Sequence, residues 1–390
     1  MKILYIHQYF KTPTDGGSLR SFYLAKELVK KGHHVIMLTT HNQPSKARGY
    51  VEGIEVIYLP VEYNNLMGFS QRAKAFLKYM ILAAIESTKY RGIDLCYVMT
   101  TPLSTGIVAW FNKLFLGRPY IFEVGDLWPK VPIEMGLLRG KWKQKLLIWL
   151  EGIFYRNARG LVGLSEPITR HLQQIAPKVP VETVFNISDC EWFVPAKKEI
   201  IWIEKYKVQK QFVITYTGTF GLANCLSQVI DLAKEVRDLP IKFILVGEGA
   251  EKEKISALVQ QNDSKNIQVY DSMTKSQLLE VVNITDAMLV SFAPYDSLHT
   301  GSPNKFFDAL AAGKLVITNF GGWIGDLISD EQCGFYAEKP SSFRKQIQEF
   351  LNSPELLQVY QSNARRLAEE RFDLSMQAKK QQEFMTQLFS

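Results

Sequence analysis

Five polar residues crowd into the nine positions of Thr300-Gly-Ser-Pro-Asn-Lys-Phe-Phe-Asp308. Thr300, Gly301, Ser302 and Asn304 stand at what reads as the mouth of a short helix, with Pro303 in its first turn. Free backbone N–H groups and the positive end of the helix dipole make such a mouth a site for a phosphate. Lys305 places a full positive charge beside it. Asp308 follows one turn later on the facing side, where a carboxylate can hold a pair of sugar hydroxyls. Gly313 supplies a left-handed exit, and Leu315-Val-Ile-Thr resumes as a buried strand. The block reads as a pocket for a nucleotide sugar.

Other loops carry weaker signals. His7-Gln-Tyr-Phe-Lys-Thr-Pro-Thr-Asp-Gly-Gly-Ser18 follows the first strand, and its pair Gly16-Gly17 suits close backbone approach to a ligand as well as it suits an ordinary turn. The dinucleotide spacing G-x-G-x-x-G is absent. Asp126, in Gly125-Asp-Leu-Trp-Pro129, sits directly at a strand end, placed either to touch a substrate or to cap the next segment. Glu123 belongs within that strand. Tyr216-Thr-Gly-Thr-Phe-Gly221 is a strand running into a glycine-rich turn, so Gly218, Thr219 and Gly221 suit contact with a diphosphate. Gly247, in Val246-Gly-Glu-Gly249, gives another tight exit that serves packing or a ligand equally.

These loops need a frame that holds them together. Strands are expected at 2–6, 35–39, 56–59, 95–99, 120–124 and 161–164, with a helix over 18–31. A second series follows at 212–216, 242–246, 267–270, 287–290 and 315–318. Strands alternating with helices imply an α/β fold of two Rossmann-like, doubly wound parallel sheets. Such sheets bind ligands beyond the carboxyl ends of their strands, and two facing sheets share one cleft. The first domain is expected over 1–185, a linker over 186–210, the second domain over 211–370, and a final helix over 371–390.

Length and composition agree with two ordinary domains. The chain has 390 residues, 46% of them hydrophobic. No apolar run reaches the ~18 residues of a membrane span, and the N-terminus lacks the pattern of a signal peptide. Cys96, Cys190, Cys225 and Cys333 form no C-x-x-C pair and read as reduced thiols. No cluster of His, Asp and Glu has metal-ligand spacing. Charge is uneven: residues 1–185 carry 24 Lys and Arg against 13 Asp and Glu, a net of +11, and the remainder a net of −4. An anionic partner for the first half is expected, but no nucleic-acid motif accompanies the charge. Segments 66–91 and 138–159 each hold a run of Lys and Arg among aromatic and aliphatic residues, with the single acids Glu86 and Glu151. They suit contact with an anionic membrane surface, or two domain helices with solvated faces.

Taken together, the blocks resemble the retaining glycosyltransferases of the GT-B fold, family 4, over nearly the whole chain, especially bacterial enzymes of surface-polysaccharide assembly. The segments that carry the likeness are Ser302 to Ile317, His7-Gln-Tyr-Phe, Asp15-Gly-Gly, Asp126-Leu-Trp-Pro, Val246-Gly-Glu-Gly and Arg371-Phe-Asp-Leu-Ser. The resemblance implies that Asp308 binds the ribose of a nucleotide diphosphate sugar, with UDP favoured and an N-acetylhexosamine a candidate sugar. It implies that Asp126 orients the reacting groups, that the tail helix crosses back to the first domain, and that no divalent metal takes part. Three departures stand out. Thr300 replaces the family's glutamate eight residues before the ribose acid, Gly125 replaces a histidine or arginine, and Thr219 and Asn224 replace an arginine and a lysine that serve the diphosphate. Lys305 is left as the main counter-charge.

The activity implied is transfer of the sugar, with retention, to a hydroxyl of a lipid-linked saccharide at the inner face of a membrane. The growing charge of the departing diphosphate would be met by Lys305 and by the N–H groups of Gly17, Gly301 and the 218–221 turn. No second carboxylate is evident for a double displacement. The same fold also occurs in a UDP-sugar 2-epimerase, and a scaffold without catalysis is a further alternative.

Overall fold

The computed structural model describes residues 1–13, 17, 19–64 and 67–389. Thr14, Asp15, Gly16 and Ser18, and with them half of the Gly16-Gly17 pair, lie outside the described residues, as do Asn65 and Leu66.

Among the described residues, fourteen strands form two sheets. The first contains β1 (Lys2–Ile6), β2 (His34–His41), β3 (Ala47–Val51), β4 (Ile54–Pro60), β5 (Leu95–Met99), β6 (Tyr120–Val124), β7 (Gly160–Gly163) and β8 (Val181–Thr183). Their order is β3-β4-β2-β1-β5-β6-β7-β8. Among the described strands of this sheet only the β3–β4 pair is antiparallel. The second sheet contains β9 (Phe212–Thr217), β10 (Ile241–Val246), β11 (Ile267–Tyr270), β12 (Ala287–Val290), β13 (Leu315–Thr318) and β14 (Gly334–Tyr336), ordered β11-β10-β9-β12-β13-β14 and parallel throughout. Inner strands are apolar at nearly every position because helices cover both faces of each sheet; β1 and β5, for example, bury almost all their residues.

In both sheets the chain winds outward in one direction, returns, and winds in the other. The reversals fall between β1 and β5 and between β9 and β12. A crevice opens at such a point, beyond the carboxyl ends of the strands. The loops after β1, β5, β9 and β12 therefore meet in the cleft.

Several boundaries differ from the sequence expectation. The first helix runs Arg20–Lys30. Pro303 is not in the first turn of the helix Asn304–Ala311 but caps it, with φ −74° and ψ 131°, and its carbonyl accepts the N–H of Phe306 at 3.0 Å. That helix is fastened by Phe306, Phe307, Ala309, Leu310 and Ala311, all buried. It ends through Gly313, whose φ of 58° is the left-handed exit.

The helix Leu374–Phe389 lies against Arg20–Lys30 and buries Phe384, Met385 and Leu388 among Ile3, Tyr5 and Tyr97. Arg159 donates to the carbonyl of Leu388 at 2.7 and 3.0 Å. A Cβ on Gly160 would stand 2.4 Å from the Leu388 side chain, so β7 begins with glycine where this helix seats. Cys96, Cys190 and Cys333 are buried free thiols. Among the described residues no helix is long and apolar enough to cross a membrane.

Candidate active site

Lys305 sits in the first turn of the 304–311 helix and reaches across to the loop that leaves β9. Its ammonium donates to the hydroxyl of Tyr216 at 2.8 Å and to Oδ1 of Asn224 at 3.1 Å. It also stands 4.0 Å from the centre of the Tyr216 ring, a cation–π placement. Among the described residues no carboxylate lies within 4.0 Å of it. Enclosure without a counter-ion pulls the amine down to about 7. A positive charge kept short of a partner is suited to an incoming anion.

The glycines beside it follow from this packing. A Cβ on Gly218, which has φ 135°, would come within 3.3 Å of Nζ of Lys305. A Cβ on Gly247 would stand 1.8 Å from the carbonyl oxygen of Gly218, so the loops after β9 and β10 touch backbone to backbone. Thr219 is exposed, and its carbonyl accepts the hydroxyl of Tyr216 at 2.8 Å. Gly221 opens the short turn Leu222–Asn224 that presents Asn224 to Lys305.

One turn along the helix, Asp308 faces a small cavity of 110 Å³ that it shares with Gly17, Asn304, Tyr23, Asp189 and Lys275. Burial pushes its carboxyl up to about 7, opposed by the Lys275 ammonium and reinforced by Asp189. Gly17, from the loop after β1, has φ 88°. The structure thus brings Gly17, Asn304 and Asp308 to one cavity, from both sheets.

Asp126 lies on the opposite wall, just past the end of β6. Thr101 approaches its Oδ2 at 3.5 Å, and its Oδ1 is 3.7 Å from where a Gly301 Cβ would stand. The carboxylate is open to the cleft but crowded by protein, and the loss of surrounding water pushes its pKa up. Thr300 turns its hydroxyl back to the carbonyl of Ser297 at 2.7 Å, while its own carbonyl accepts from Ser165 at 2.6 Å. Gly301 gives its carbonyl to Nε1 of Trp323 at 2.9 Å. The hydroxyl of Ser302 is buried without a hydrogen-bond partner, and the Ser302 carbonyl accepts from Asn186.

Some residues of the site gave no sequence signal. Tyr216 lies within an apolar strand and reads as core. Glu123, also within a strand, is paired with Arg20 at 2.9 and 3.2 Å and accepts from Tyr97 at 2.5 Å. Arg20 further donates to the carbonyls of Val184 and Phe185. This buried network fixes the strand end that carries Asp126. His7 is buried, which pulls its imidazole down to about 4 and keeps it neutral. No group of three or more His, Cys, Asp or Glu that could hold a metal occurs among the described residues.

Two doubly wound sheets whose strand-end loops close on one cleft define the GT-B class. Comparison with known proteins refines this. Residues 15–186 match the "Glycosyl transferase 4-like domain" model and residues 198–367 the "Glycosyl transferases group 1" model. The chain belongs to the group 1 glycosyltransferases, family 4. It is 30% identical over 107 residues to WcaI of Escherichia coli (strain K12), named for colanic acid biosynthesis; that match spans 27% of this chain and 26% of the relative. Solved structures show the same fold over the full length. Sucrose-phosphate synthase of Thermosynechococcus elongatus superposes with a TM-score of 0.80 at 17% identity, covering 100% of this chain and 99% of that one. Anabaena Alr3699/HepE in complex with UDP gives 0.69 at 15% identity, covering 99% and 100%.

Proposed function

We propose that this chain transfers a sugar from a nucleotide diphosphate donor to a hydroxyl acceptor, with retention at the anomeric carbon. The observation that carries the reading is the ammonium of Lys305, held at the glycine turn after β9 with no carboxylate partner among the described residues and one helical turn from Asp308. Asp308 takes the ribose, and the helix mouth from Gly301 to Asn304 takes the diphosphate together with Lys305. As the bond to the sugar breaks, negative charge grows on the leaving diphosphate, and a fixed cation there lowers the barrier. Asp126 faces this point from the other wall and orients the reacting sugar or the acceptor. The donor's own phosphate accepts the acceptor's proton. UDP is the favoured nucleotide, with support from the UDP complex of HepE.

The acceptor is a lipid-linked saccharide of a surface polysaccharide, a reading supported by the name of WcaI and by one face of the first sheet's helices. The helices Phe69–Ser87, Thr105–Leu116 and Lys141–Asn157 pack side by side. Phe115, Trp142 and Trp149 are 73%, 67% and 57% exposed on them. Lys141 and Lys143 flank Trp142, and Lys145 lies one turn before Trp149, the basic and aromatic mixture of membrane-surface helices. The protein would then work as a peripheral enzyme at the inner face of the membrane.

Incubation with UDP-, GDP- and ADP-sugars, with and without a lipid-linked acceptor, tests the proposal. Acceptor-dependent release of the nucleoside diphosphate and an anomeric configuration preserved by NMR are expected. Conversion of the donor with no acceptor present would favour epimerisation instead.

A further inference from the structure

The cavity beside Asp308 is far smaller than the ~300 Å³ or more that ligand pockets of this kind provide. Three side chains from three parts of the chain close it. Lys275 opens the helix Lys275–Ile284 of the second sheet's unit; Asp189 lies in the segment joining the units; Tyr23 projects from the helix Arg20–Lys30 of the first. Oδ2 of Asp189 accepts from Nζ of Lys275 at 2.5 Å and from the hydroxyl of Tyr23 at 2.6 Å. Nζ of Lys275 also meets the Tyr23 oxygen at 2.7 Å. The three atoms form a closed triangle at the edge of the space that Asp308 faces.

Charge points to a purpose for the triangle. The family's two cations are absent at Thr219 and Asn224, and Lys305 is the cation that stands at that turn among the described residues. Arg20 lines the same cavity but is consumed by Glu123 and two carbonyls. Lys275 is the other cation lining it, and it is held by contacts that permit movement. Its ammonium stands 4.5 Å from the ring of Trp192 and 5.3 Å from that of Tyr23, so it can leave Asp189 while keeping aromatic faces beside it. Asp189 in turn would not be orphaned, because Tyr23 and the Trp192 N–H, at 3.0 Å from Oδ1, continue to donate to it.

We infer, resting on the nucleotide-sugar reading above, that Lys275 is a further nucleotide-binding residue, parked on Asp189 and Tyr23 in the empty site and handed to an oxygen of the donor's nucleoside portion when the cavity opens. Asp189 then competes with the donor for the same ammonium.

Opposite signs in two variants test this. UDP affinity of the full chain is measured by calorimetry at pH 7, where the Lys305 and Asp308 shifts place the best binding, with melting temperature recorded alongside. Lys275→Met is expected to weaken UDP binding about tenfold, the scale of one lost charge-assisted hydrogen bond. Asp189→Asn keeps the contact to the Trp192 N–H but loosens the ammonium, and is expected to tighten UDP binding several-fold. Tyr23→Phe should act in the same direction as Asp189→Asn. A clasp with only a structural role would lower the melting temperature in both variants and move affinity the same way in each. That result, or unchanged affinity in both, overturns the assignment; Lys275→Gln replaces Lys275→Met should the latter fail to fold. A parent chain that binds none of UDP, GDP and ADP defeats the nucleotide reading itself, and the role of Lys275 with it.

Discussion

A hydrogen bond of 3.1 Å joins the ammonium of Lys305 to the side-chain carbonyl of Asn224, 81 residues away in the chain. Asn224 stands where the family resemblance leads one to expect a lysine. The cation missing from that position is therefore present in space, supplied from the helix mouth instead of the loop. The swap also places the charge on the element that carries Asp308, so the proposed diphosphate and ribose contacts would be set by one rigid helix.

Lys305→Ala is expected to lower turnover by about two to three orders of magnitude, the scale of losing one preorganised charge from a developing anion. Steady-state kinetics with saturating donor check this. Near-normal turnover in the variant would remove Lys305 from the reaction.

The pH dependence follows from two opposed shifts. Lys305 is lowered to about 7, so its charge is present below that pH and lost above it. Asp308 is raised to about 7, so its carboxylate is present above that pH and lost below it. UDP affinity should peak near neutrality and fall on both sides. Lys305→Arg should flatten the alkaline limb, because a guanidinium stays charged throughout. Asp308→Asn should remove the acid limb. Titration calorimetry across pH 5.5 to 9 (about one and a half to two units on either side of the two groups' crossover near 7) reads both.

Asp308→Ala should weaken UDP binding more than it slows the bound complex, because a ribose contact differs little between ground and transition states. Equal UDP affinity in variant and parent would exclude the ribose role. Activity should also survive EDTA; its loss, with rescue by magnesium or manganese, would require a metal at the diphosphate.

The face bearing Trp142 and Trp149 should bind anionic vesicles at low salt and release them at high salt. Each Lys or Arg near such a surface contributes on the order of 1 kcal/mol, and 0.15 M salt screens charges beyond ~8 Å. Co-sedimentation with vesicles containing phosphatidylglycerol checks this. Reversing Lys141, Lys143 and Lys145 to Glu should abolish pelleting and leave UDP binding intact.

The sheet cores were legible in the sequence because their strands are buried on both faces and so read as unbroken apolar runs. The strands that escaped are those lacking such a run. Ala47-Arg-Gly-Tyr-Val is a largely exposed edge that pairs antiparallel with β4. Val181–Thr183 and Gly334–Tyr336 are three residues each, and Gly334 reads as a turn, although it is glycine because a Cβ there would meet the Val316 carbonyl at 2.2 Å.

The candidate site divides in the same way. Asn304, Lys305 and Asp308 share one helix, so local spacing alone relates them. Tyr216 was hidden because a tyrosine in an apolar strand has the pattern of core, although its ring and its hydroxyl both meet the ammonium. Lys275 and Asp189 lie 86 positions apart and on different elements. No periodicity links them; the folding of both units around the joining segment does.

The seat of the helix Leu374–Phe389 has a consequence for the order of assembly. Phe384, Met385 and Leu388 complete the cluster around Ile3, Tyr5 and Tyr97, yet they follow the entire second unit in the chain. The second sheet, whose strands end at Tyr336, can close its core as it emerges during synthesis. The first sheet, made earlier, waits with one face covered only in part, by the helix Arg20–Lys30, until residues some three hundred and eighty positions after its first strand arrive. Its apolar flank is thus exposed during translation, the stage at which such surfaces engage chaperones or other nascent chains.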